Sequence, residues 1–180
     1  MRRMNLFRAK NGTAAAEMAL VAPLLIILMF GSVELGNYFM SEHVVVKAVR
    51  DGARYAGRLG FTNFGCTSAS TGQTPGGPVV DNTRNLVRTG QITGGSARLT
   101  GWTDPESINV TYDCVESASD PSNPTYSGIY EGSSYVPVVK VEIVTSGDHR
   151  LKYNSLFNNL GFAGNALYLR AQSQSAVMGL

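Results

Sequence analysis

A chain of 180 residues and 19.2 kDa holds one domain with a real core, or a membrane segment plus a smaller globular part, and excludes two large domains. Hydrophobic residues at 43% and charged residues at 16% exclude disorder throughout, and 20 glycines with 2 cysteines fit neither collagen nor a disulfide-dense scaffold. The formal charge of +2 hides an asymmetry: four of the 15 Lys and Arg (Arg2, Arg3, Arg8, Lys10) fall in the acid-free stretch Met1–Gly12, leaving 11 bases against 13 acids from residue 13 onward. No cluster of Lys and Arg interleaved with aromatics follows, which argues against nucleic acid as a partner.

After the basic leader, Ala14–Val33 (AAAEMALVAPLLIILMFGSV) is apolar apart from Glu17 and Ser32. At 1.5 Å per residue this stretch spans about 30 Å, the thickness of a hydrocarbon core, and predicts a transmembrane helix. Basic residues ahead of it keep the N-terminus cytoplasmic and place the remainder outside, a single-pass topology with an extracytoplasmic C-terminal domain. A removable secretory signal is the poorer reading, because the apolar run exceeds the usual 7–15 residues and GSVELGNYF lacks a small-residue cleavage pattern. The run also contains a carboxylate, which costs about 2.5–3.5 kcal/mol at mid-bilayer and less near the interface, where Glu17 could snorkel.

Gly12 closes the leader, and Glu17 is the fifth residue after it. A hydrophilic leader, a glycine and a glutamate at that step resemble the class III prepilin signal. The longer run GTAAAEMALVAPLLIILMFGSVELGNYFMSEHVVVKAVRDGARYAGR is similar to the TadE-like family, minor pseudopilins of the tight-adherence (Flp) type IV pilus. The carriers are Gly12 with Glu17, Pro23–Leu25, the V-E-L-G stretch Val33–Gly36 and the R-D-G-A-R-Y-A block Arg50–Ala56, with Met18 departing from the aromatic residue frequent after the glutamate. These motifs cover about the first third of the chain.

The resemblance implies cleavage between Gly12 and Thr13 by a prepilin peptidase and a subunit-register role for Glu17, whose carboxylate pairs with the new α-amino group of a neighbouring subunit. It implies partners in the major pilin, other minor pseudopilins and the assembly platform of the inner membrane, besides the lipid bilayer. It further implies a role in pilus assembly, adhesion or surface colonisation. The rival reading is a permanently anchored extracytoplasmic binding module using Tyr126, Tyr130 and Tyr135.

Beyond the bilayer, Leu35, Phe39, Val46, Val49, Ala53 and Ala56 recur at helical spacing, so one helix from about Ala14 to Arg58 is expected, kinked or locally melted at Pro23. Ala15, Ala19, Gly31 and Gly36 offer small surfaces to another helix or to lipid. Leu59–Val80 reads as a Gly/Ser/Thr/Pro-rich loop, and Asp81 and Gly90 read as the caps of a short helix packing Leu86 and Val87 inward. Alternation predicts strands at Ile108–Cys114 and Val139–Ile143, with a last strand beginning at Leu167, Leu169 and Ala171 and ending near Val177. Ala118–Gly128 reads as a turn-rich loop.

The expectation is an α+β, pilin-like fold, a long N-terminal transmembrane and amphipathic helix packed on a small antiparallel sheet. The divisions are leader 1–12, transmembrane helix 13–33, amphipathic continuation 34–58 and extracytoplasmic domain 59–180. Cys66 and Cys114 both fall in the exported part and are paired on that ground, unpaired thiols being the alternative.

No enzyme is expected, and no cofactor: G-x-S-x-G, G-x-G-x-x-G and Walker patterns are absent. No metal site is expected either. His43 has no second ligand at i+4, His149 reads as a cap in the turn SGDHR, and Asp104, Glu106, Asp113, Glu116 and Asp120 lack EF-hand spacing and read as solvated turns.

Overall fold

A computed structural model of the protein describes residues 11–116, 128–157 and 167–179. The leader up to Lys10 and the segment 117–127, with Asp120 and Tyr126, lie outside the described residues. The architecture is α+β: a long helix α1 (Asn11–Gly57), a short helix α2 (Val79–Thr89) and a sheet of β1 (Ser70–Gln73), β2 (Ile108–Glu116), β3 (Tyr135–Ile143) and β4 (Gln172–Ala176). Every neighbouring pair is antiparallel and the strand order follows the chain.

Helix α1 has two halves with different surroundings. Its first half is long and apolar enough to cross a membrane, and its most apolar window has no buried residue. Pro23 sits inside an unbroken helix, so the expected melted turn is absent. Proline removes a single backbone bond, and the Leu, Ile, Met and Ala residues on both sides retain theirs. The Ser32 hydroxyl donates back to the Met29 carbonyl at 2.8 Å, which satisfies it without water.

The second half turns Val45, Ala48, Val49, Ala53 and Ala56 into the core, all fully buried. The opposing surface comes from β2 and β3, where Ile108, Val110, Tyr112 and Cys114 alternate inward and register with Ile143, Val141, Val139 and Pro137. A strand shows one face at every second residue, so this alternation and the one-to-one register are a single fact.

Three local expectations need correction. Within the expected loop Leu59–Val80, Ser70–Gln73 forms edge strand β1. Pro78, not Asp81, precedes the first turn of α2, with Asp81 lying inside that turn; Gly90 does close the helix, in the left-handed conformation (φ 84°). Leu167 and Leu169 do not begin the last strand: Leu169 N–H bonds the Leu151 carbonyl, Tyr153 N–H bonds Leu167, and Lys152 bridges Tyr168, whereas the Ala171 carbonyl does accept the Ile143 N–H of β3. The two leucines serve a separate two-stranded contact, and the strand itself is the polar QSQSA that follows Ala171.

Candidate functional site

The residues singled out from the sequence lie along α1. Gly12 and Thr13 stand in its first turn, and the helix starts at Asn11, ahead of the bond between them. That turn carries no acidic residue, so no side-chain charge favours its unpaired N–H groups. Glycine adds about 1 kcal/mol of helix cost relative to alanine, which makes the turn cheap to open.

Glu17 follows on an exposed surface, among residues that are exposed from Ala14 to Val21. Among the described residues no ion pair reaches it. Around it Met18, Leu20, Leu24, Leu25, Ile26 and Ile27 all stand more than half exposed. A soluble monomer does not leave such a stripe open, and its length suits membrane anchoring. Gly31 and Gly36 have open space where a Cβ would stand, so close approach by another helix is sterically free there.

Where the apolar stripe ends, the domain grips the helix. Asn37 Nδ2 donates to the Tyr153 hydroxyl at 2.6 Å, and that hydroxyl donates to the Glu34 carbonyl at 3.3 Å. The Tyr38 ring meets Tyr153 edge-on at 5.2 Å. The Glu34 carboxylate accepts the Leu156 N–H at 3.2 Å, and Phe157 stacks edge-on against Phe30 at 5.3 Å. Burial raises the pKa of the Tyr153 phenol, and its hydrogen bond to Glu34 adds to this against the opposing effect of Asn37. No sequence spacing signals this grip, because it joins α1 to residues more than a hundred positions away.

The R-D-G-A-R-Y-A block has a packing explanation. Gly52 faces Val87 of α2 so closely that a Cβ there would collide with the Val87 Cγ2 methyl. Asp51 pairs with Arg98 at 3.4 Å, and the Tyr55 hydroxyl accepts from Asn82 Nδ2 at 3.5 Å. At the helix end, a Cβ on Gly57 would stand 2.5 Å from Ser175 Oγ and 2.9 Å from the Ala176 carbonyl. The block is thus the seat of the long helix on α2 and β4.

Cys66 and Cys114 are joined by a disulfide with Cα atoms 5.6 Å apart. The bond ties the segment before β1 to the inward face of β2, beside Phe64 and Tyr112, whose rings meet edge-on at 5.4 Å.

Of the four acids considered for calcium that are among the described residues, Asp104 and Glu106 come together, and His149 joins them. Its Nδ1 lies 2.7 Å from Asp104 Oδ2 and its Nε2 3.1 Å from Glu106 Oε2. Asp113 instead accepts the Gly72 N–H at 2.7 Å, supporting the β1–β2 edge. The hydrogen bond to Asp104 holds the His149 pKa above its ordinary value, with Glu106 and Asp148 adding charge. Asp104 is raised by burial, but the His149 bond and the Glu106 N–H outweigh this and leave it below the usual carboxylate range. Both imidazole nitrogens are engaged by carboxylates, so the trio is an ion-paired clip between two turns. His43 is exposed on α1, away from these groups.

Two tyrosines of the alternative binding loop are half-buried: Tyr130 donates its hydroxyl to the Val177 carbonyl at 2.6 Å, and Tyr135 packs on the core. They serve the domain's interior, which weakens the case for a recognition loop built on them.

No curated protein and no solved structure matches the chain. Residues 12–54, from Gly12 through the exposed stripe to Arg54, match the family model described as TadE-like protein.

Proposed function

We propose that this protein is a minor pseudopilin of a tight-adherence pilus. It inserts with its basic leader in the cytoplasm, is cut by a prepilin peptidase between Gly12 and Thr13, and then enters an extracellular filament as a low-copy component needed for assembly, adhesion or surface colonisation. The major pilin, other minor pseudopilins and the inner-membrane assembly platform are its partners. The carrying observation is an exposed carboxylate, Glu17, five residues after Gly12 on an otherwise apolar helix surface, within the matched segment 12–54.

The chemistry is self-consistent. Opening the first turn presents the Gly12–Thr13 bond to the peptidase. Cleavage creates an α-amino group on Thr13 with a reference pKa near 8, largely protonated at neutral pH. A carboxylate in hydrocarbon needs a cation, and the amine of a neighbouring subunit supplies one only when the subunits are in register. The protein performs no reaction; it is a substrate and then a building block.

Intact-mass measurement and N-terminal sequencing of the protein from its native host test this directly. A mature chain beginning at Thr13 is the expected result. An intact Met1 would favour the permanent anchor, and a start near residue 33 would mean an ordinary secreted domain.

A further inference from the structure

The surface where α1 leaves its apolar stripe carries a feature that filament assembly does not require. The first ionisable residue after the stripe is Glu34, so the hydrocarbon boundary falls close to it. Phe30 lies four residues earlier, about 6 Å deeper along the helix. Phe157 packs against that ring, although it belongs to the domain and stands far away in sequence. The neighbouring Leu156 turns its side chain outward, 52% exposed. Its backbone N–H, which would be costly to leave unpaired at this depth, is bonded to the Glu34 carboxylate.

Two depressions flank this loop. One, of about 500 Å³, is apolar and lined by Ile26, Ile27, Phe30 and Phe157. The other, of about 170 Å³, is mixed, with Asn37, Ser41, Lys152 and Asn154 set among Leu151 and Leu169. Asn37 lies about 4.5 Å beyond Glu34 along the helix, within an interfacial layer of about 5–7 Å, and Ser41, about 10 Å beyond, stands just outside it. The lining is therefore apolar at acyl-chain depth and becomes mixed at headgroup depth, where the cationic Lys152 and Asn37 stand among leucines.

We propose that the segment Ser155–Phe157 is a second membrane contact, seated in the interfacial layer of the leaflet on the domain's side. Leu156 and Phe157 enter the upper acyl region, and a phospholipid lies along the groove against Ile26, Ile27 and Phe30. The occupant is lipid because the groove is continuous with the helix surface read as membrane-spanning, and because its polarity changes at the depth where a phospholipid's does. The contact rests on that membrane reading of residues 14–33. Its consequence is orientational: with both the helix and the loop held, the domain cannot swing freely about the residues that follow Glu34.

The test uses the full chain reconstituted in vesicles of phosphatidylcholine and phosphatidylglycerol, carrying one added cysteine labelled with an environment-sensitive fluorophore. Leu156→Cys is compared with Leu24→Cys inside the stripe and Ser146→Cys on an exposed turn; the native cysteines are joined and do not react. With lipids spin-labelled near the carbonyl end, the probe at 156 is expected to be quenched at least about threefold more than the probe at 146, at every protein-to-lipid ratio. Equal quenching at 156 and 146 with strong quenching at 24 would overturn the loop contact alone. Absence of quenching at 24 would overturn the membrane reading and the proposal with it. Protection at 156 that appears only at high protein density, without lipid quenching, would assign the groove to a second copy and also overturn the proposal.

Discussion

Gly52 shows how one missing atom positions a helix. Alanine there would gain up to about 1 kcal/mol of helix propensity. Its Cβ, however, would run into the Val87 Cγ2 methyl, on a fully buried β-branched side chain with little rotamer freedom. Overpacking of this kind costs about 1–3 kcal/mol, so Gly52→Ala is expected to lower the unfolding free energy by roughly 1–2 kcal/mol in urea. Combining it with Val87→Ala, which removes the colliding methyl, should cost clearly less than the two separate losses together; strict additivity would mean that the residues do not press on each other.

His149 belongs to the same scale, and its effect has a sign. Its raised pKa means that folding favours the imidazolium, so its contribution is complete below the ordinary value near 6.5 and is lost as pH rises through the folded value. Asp104 is lowered, so its contribution is present above the ordinary value near 3.8 and is lost as pH falls through the folded one. Between these limits the clip is at full strength. His149→Gln should therefore depress the thermal midpoint of the detergent-solubilised chain most at about pH 5–6, and the gap should narrow towards about pH 8.5. A gap independent of pH would show that the ring acts only through packing.

At the scale of elements, the disulfide anchors the part of the sheet that hydrophobic pattern supports least. β1 reads STGQ and is almost wholly exposed, so little apolar burial holds it against β2. The Cys66–Cys114 bond closes a separation of 48 residues, for which loop-closure entropy gives about 4 kcal/mol. Replacing both cysteines by serine should reduce the unfolding free energy by about that amount, with hydrogen exchange rising first at the β1–β2 edge. A loss below about 1 kcal/mol would mean that the reduced chain already keeps these segments together.

The same physics decides which elements could be read from sequence. β2 and β3 each bury one face, so their alternation is written in Ile, Val and Tyr and was legible. β1 and β4 are edge strands of mainly polar residues: nothing in STGQ separates β1 from a loop, and β4 fell inside the expected last strand through the apolar residues that flank QSQSA. Leu167 and Leu169 extended that expected strand too far towards the N-terminus, since their partners are Leu151 and Tyr153. The long helix was legible to within three residues at its start and one at its end, because a periodic apolar pattern continues across it. Contacts such as Tyr153 with Glu34 and His149 with Asp104 left no trace in spacing, since tertiary folding alone brings them together.

At the scale of the molecule, the decisive question is what Glu17 does in the bilayer and in the fibre. It lies three residues inside the apolar run, about 4.5 Å below the start, where a flexible side chain can still reach the interface. A single membrane-resident copy therefore needs no partner for this group, and neither insertion nor cleavage should depend on the charge. Assembly differs, because extraction into a filament core removes the nearby interface and leaves the carboxylate reliant on a neighbour's amine. Glu17→Ala and the nearly isosteric Glu17→Gln should both be inserted and cut normally, yet both should fall at least about tenfold in sheared filament fractions, since loss of a buried charge partner exceeds about 1.4 kcal/mol. Glutamine is the informative variant, because it keeps shape and hydrogen bonding while removing only charge. Normal incorporation of Glu17→Gln beside failure of Glu17→Ala would replace ion pairing by shape, and normal incorporation of both would end the register role.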